Sequence, residues 1–107
     1  MKPLNDLEEQ LGYLTRDAET LKDALNNPTD TNMGKADILN ALIKNNAEQI
    51  QNLSKQAIEY QNHMDKIKEE NPDDYLLNDK YIEAATGLDN VNSNMKQLTA
   101  STREFAE

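Results

Sequence analysis

The chain has 107 residues, the size of one domain, and its 36% hydrophobic residues, with one Phe, four Tyr and no Trp, suit narrow apolar stripes rather than a thick core. Three Gly and three Pro are too few for the reversals of a sandwich or barrel, and the absence of Cys excludes disulfides, thiolate metal sites and cysteine nucleophiles. A net charge of −9 repels phosphate backbones and anionic lipid, so neither nucleic acid nor membrane is expected as a direct partner.

The opening Met1-Lys2-Pro3-Leu4-Asn5-Asp6 turns acidic before an apolar leader can form, and no apolar run is long enough to cross a bilayer, so a cytoplasmic location is expected. Leu4, Leu7, Leu11, Leu14, Ala18, Leu21 and Leu25 then alternate at spacings of three and four, the mark of one helical seam. Asn26-Asn27-Pro28 stops it, since proline lacks a donor and pushes its predecessor out of the helical region. A first helix is predicted over about 4–26. Thr29 to Gly34 reads as a loop rich in capping side chains.

A second seam follows: Ala36, Leu39, Ile43, Asn46, Ile50, Leu53, Ala57, Tyr60, Met64 and Ile67. Only Asn46 breaks its character. The seam predicts the longest helix, about 35–70, ended by Asn71-Pro72. A loop is expected at about 71–77, with Asn78 as the N-cap of a third helix over about 78–105. The competing start, Asn71 as cap with Pro72 first in the helix, leaves almost no chain for a reversal. The third seam is Leu77, Tyr81, Ala84, Leu88, Val91, Met95, Leu98, Thr102 and Phe105. Gly87 lies within it at a cost of about 1 kcal/mol against Ala, which predicts local softness.

Short connections make consecutive helices antiparallel neighbours. The chain therefore reads as a single all-α domain spanning 1–107, an up-down three-helix antiparallel bundle with coiled-coil-like packing. In length and helix arrangement it resembles a spectrin-type repeat or the N-terminal three-helix domain of syntaxins. The helix-one Trp usual in spectrin repeats is absent, and an architectural resemblance implies no function.

Catalytic equipment is missing. His63 is the sole histidine, has no second His three or four positions away, and reads as an exposed helical residue. Glu69, Glu70, Asp73, Asp74 and Asp79 could gather a hard cation, but acidic residues beside the start of the third helix already suit its positive dipole end. Asp30 to Gly34 begins like a calcium loop with Gly one position early and Ala41 where the final ligand belongs, so no EF-hand is expected. Asn52-Leu53-Ser54 matches the glycosylation triplet but falls mid-helix. No phosphate-binding glycine loop, nucleophile elbow or zinc-protease pattern occurs. No catalytic, cofactor-binding or metal-binding residue is assigned, no cofactor or small-molecule substrate is expected, and the chain is read as a non-enzyme.

Helix lengths leave one end of the bundle open. With the first reversal near residue 30, the first helix covers the second only to about residue 57. The remaining two-helix end projects ~18–20 Å at ~1.5 Å per residue. Its stripe comprises Tyr60, Met64, Ile67, Tyr75, Leu76, Leu77, Tyr81 and Ile82, and Tyr and Met are enriched at interfaces. These eight residues are the candidate protein-binding surface of an adaptor, assembly factor or chaperone, engaging another protein or self-associating through helices. The alternatives are an acidic decoy that fills a basic nucleic-acid-binding groove, and a structural subunit of a homo-oligomer or secretion apparatus. At the centre of the second helix, Asn46 is expected to bond Thr15 or Thr102 in a polar layer.

Overall fold

The computed structural model describes residues 2–26 and 34–106, and 94% of these are helical. α1 spans Lys2–Asn26, α2 Lys35–Glu70 and α3 Asp79–Ala106, with a 3-10 turn at Tyr75–Leu77. No strand occurs among the described residues. α2 packs against both α1 and α3, giving the three-helix bundle that the three seams predict. The bundle measures 60 × 26 × 16 Å, and its long dimension follows from α2, whose 36 residues extend ~54 Å. No helix among the described residues is long and apolar enough to cross a membrane.

The ends of the helices follow from local chemistry. α1 starts two residues earlier than expected, with Pro3 in its first turn, where a missing N–H costs nothing. The stop at Pro28 and the capping side chains of Thr29 to Met33 lie outside the described residues. Gly34 is the N-cap of α2, extended at φ −70°, and supplies no side-chain bond. At the far end, the Asn71 backbone N–H donates to the Ile67 carbonyl at 2.9 Å and its side-chain Nδ2 to the same oxygen at 3.3 Å. Pro72 then prevents continuation. Asn78 caps α3 as predicted: its Oδ1 accepts from the backbone N–H groups of Lys80 at 2.9 Å and Tyr81 at 3.3 Å.

α2 carries two seams rather than one. The predicted seam faces α3, and from Leu39 to Ile67 each of its members is buried or half-buried, whereas Ala36 is exposed. Asn46 donates to the Thr102 hydroxyl at 3.2 Å, the expected partner, and to Ser101 at 3.3 Å. Thr15 takes no part; its hydroxyl donates to the Leu11 carbonyl of its own helix at 2.8 Å.

The second seam, facing α1, is Ile38, Leu42, Asn45, Gln49, Asn52 and Gln56, all buried. Its heptad spacing is regular, but four of the six positions are amides, so a search for apolar periodicity passes over it. The amides form a ladder. Asn45 Nδ2 donates to the Leu14 carbonyl at 2.9 Å, and Gln49 Nε2 donates back to Asn45 Oδ1 at 2.6 Å. One heptad on, Asn52 donates to the Leu7 carbonyl at 2.9 Å and Gln56 to Asn52 Oδ1 at 2.7 Å. No buried side-chain nitrogen or oxygen among the described residues lacks a partner, which is the condition under which a polar interior is tolerated.

Gly87 is better explained by contact than by softness. A Cβ there would stand 2.6 Å from Cε1 of Tyr60, so glycine leaves the space in which the ring lies against α3.

Candidate functional site: the two-helix tip

The ladder fixes how far α1 reaches. Asn52 opposite Leu7 sets the first turn of α1 level with about residue 57 of α2, and α2 then continues beside α3 alone. At the junction Leu4 is buried and, with Tyr60, His63, Glu83 and Ala84, lines a hollow of about 440 Å³. Burial, and secondarily the charge of Glu8, raises the Tyr60 phenol above its ordinary range, so this ring stays neutral.

Beyond the junction an aromatic clasp holds the reversal. Tyr75 and Tyr81 meet edge to face, centroids 5.0 Å apart and planes at 70°, and Lys68 Nζ lies 5.2 Å from the Tyr75 ring centroid. In a 3-10 turn successive side chains point ~120° apart, so a Tyr75 turned inward throws the next two residues outward. Leu76 and Leu77 are accordingly 64% and 81% exposed, and Ile82 is 49% exposed.

The other members of the predicted stripe are less open. Tyr60, Met64, Tyr75 and Tyr81 are half-buried. Ile67 is 6% exposed, contrary to the expected open stripe, because the reversal folds back a few residues later and Leu77 and Asn78 share its hollow of about 600 Å³. His63 is half-buried rather than exposed and faces both this hollow and the one beside Leu4. No group of three or more His, Asp or Glu among the described residues could hold a metal ion. Asn52, in the glycosylation triplet, is buried with its amide nitrogen committed to Leu7.

The acidic residues of the tip divide by position. Asp79 lies in the first turn of α3, where the helix dipole favours it. Glu69 and Glu70 lie instead in the last turn of α2, at the negative end of its dipole, where each acid costs ~0.3–1 kcal/mol. Asp74 precedes the 3-10 turn without a side-chain capping bond. The helix-dipole explanation therefore covers Asp79 and fails for Glu69 and Glu70. Sequence reading missed Lys68 as the ring partner of Tyr75 and treated the acids as one group; the position of Pro72, which ends α2 just after Glu70, was the available signal. No known family, characterised protein or solved structure matches this chain.

Proposed function

We propose that this chain is a non-enzymatic, cytoplasmic protein-interaction module, an adaptor, assembly factor or chaperone, that docks a partner on its two-helix tip. The observation that carries the reading is the display of Leu76 and Leu77, 64% and 81% exposed. Large apolar side chains left in water cost ~25 cal/mol per Å², and covering them favours association by a similar amount. The clasp of Tyr75, Tyr81 and Lys68 and the Asn78 cap hold the turn in place before binding, which lowers the entropy lost on docking. Tyr81 and Ile82 follow the leucines at the start of α3, and the buried Ile67 lines the same hollow as Leu77.

The test is capture of partners by the full chain and by a Leu76→Ser, Leu77→Ser variant, with identification by mass spectrometry. The reading expects a protein retained by the parent and lost by the variant while helical circular dichroism is unchanged. Retention of the same proteins by both would remove the tip from consideration.

A further inference from the structure

The tip also carries information about the charge of what it binds. Between His63 and Glu83 lie seven acidic residues against three basic ones, so these 21 positions hold four of the chain's nine net negative charges. Glu69 and Glu70 work against the α2 dipole. Together with Asp73 and Asp74 they are exposed, and none of the four side-chain carboxylates makes a hydrogen bond or ion pair among the described residues. Side-chain capping and internal pairing therefore account for none of the four, and the helix dipole opposes Glu69 and Glu70. They immediately precede the turn that displays Leu76 and Leu77.

We propose that the tip selects a cationic partner: a segment of another protein whose apolar face is bordered by Lys or Arg. This rests on the docking reading above and adds the partner's charge. The leucines would enter the apolar face while the four carboxylates meet the basic border, a complementarity that speeds encounter and rejects like-charged surfaces. A second copy of this chain is disfavoured by the same residues, because a tip-to-tip contact would bring two acidic clusters together.

The experiment titrates the full chain against a labelled amphipathic helical peptide of Leu and Lys, and against its Leu and Glu counterpart, by fluorescence anisotropy. Three variants accompany the parent: Glu69→Gln, Glu70→Gln, Asp73→Asn, Asp74→Asn together; Leu76→Ser with Leu77→Ser; and a control that removes four distant exposed acids, Asp17→Asn, Glu19→Gln, Glu48→Gln, Glu104→Gln. Circular dichroism checks that each remains helical. The expectation is that the parent binds the Lys peptide and not the Glu peptide. The first two variants should weaken binding at least about tenfold, and the control should stay within about twofold.

Parent binding that survives tip neutralisation but not the leucine change would overturn the cationic partner and leave docking intact. Binding that survives the leucine change would overturn the docking reading itself. Equal loss in the control and the neutralised tip would mean that net charge, not the tip, attracts the peptide. Failure of the parent to bind the Lys peptide also overturns the proposal, as does a concentration-dependent doubling of mass that the leucine variant abolishes, which would make a second copy the occupant.

Discussion

The two seams of α2 hold their partners by different means. Toward α3 the contact is mostly apolar, its polar points being Asn46 on the Ser101 and Thr102 hydroxyls and the Ser54 hydroxyl 3.5 Å from the Met95 sulfur, and it tightens where the Tyr60 ring lies over Gly87. Toward α1 two apolar residues give way to four amides, and the bonds that cross the interface end on main-chain carbonyls, those of Leu7 and Leu14. One interface is specified by shape and the other by direction. Apolar packing tolerates small shifts, whereas a buried amide that loses its partner bears its full desolvation cost.

The largest expected effect lies in the α1-facing seam. Asn52→Asp keeps an acceptor for Gln56 but turns a buried carboxylate toward the Leu7 carbonyl, and should cost about 3 kcal/mol or more in denaturant unfolding. Replacing Asn52 and Gln56 together by Leu removes donor and acceptor at once and should be within ~1 kcal/mol of neutral, or stabilising. If the single change cost no more than a surface substitution, the distinction between the two seams would fail.

The α3-facing seam is probed next by Gly87→Ala. The methyl gains helix propensity of about 1 kcal/mol but displaces the Tyr60 ring, for a net loss of about 1 kcal/mol by thermal or chemical unfolding. In a Tyr60→Ala background the same change should become stabilising, and a double-mutant cycle reads the difference. Additivity in that cycle would mean that the ring and the glycine do not meet.

A smaller effect concerns the junction of the two regions. Because burial raises the Tyr60 phenol above its ordinary value of 10.0, the folded chain holds that proton more tightly than the unfolded one. The resulting contribution is whole below pH 10.0 and is lost as pH rises through the folded value. Stability measured across this window should fall more steeply in the parent than in Tyr60→Phe. The smallest effect is expected at the tip: Leu76→Ser with Leu77→Ser should change stability by no more than ~0.5 kcal/mol, since both side chains are already in water.

What the sequence makes legible follows from the same contrast. The helix limit at Glu70 is readable because Pro72 acts within two residues, and Asn78 as a cap follows from its own side chain. The α3-facing seam is readable because its members are apolar. The α1-facing seam is hidden because Asn45, Gln49, Asn52 and Gln56 count as solvent-facing on any hydropathy scale; only their heptad spacing betrays them. At the tip, the open end was legible from helix lengths, but the division into outward Leu76 and Leu77 and buried Ile67 depends on how the 3-10 turn orients Tyr75. That orientation is set by contacts of Tyr75 across the reversal with Lys68 of α2 and Tyr81 of α3, which no helical periodicity brings together.

The amide ladder repeats every seven residues on both helices, so its bonds alone do not single out one alignment. A slide of α1 by one heptad, ~10.5 Å along α2, would carry the Leu14 carbonyl to Asn52 and the Leu21 carbonyl to Asn45, and both crossing bonds could form again. The same slide would carry the Leu7 carbonyl to Glu59, where a carboxylate faces an acceptor with no proton between them. A single charged residue one repeat beyond the ladder thus opposes slippage in that direction, through a repulsion that the native alignment avoids.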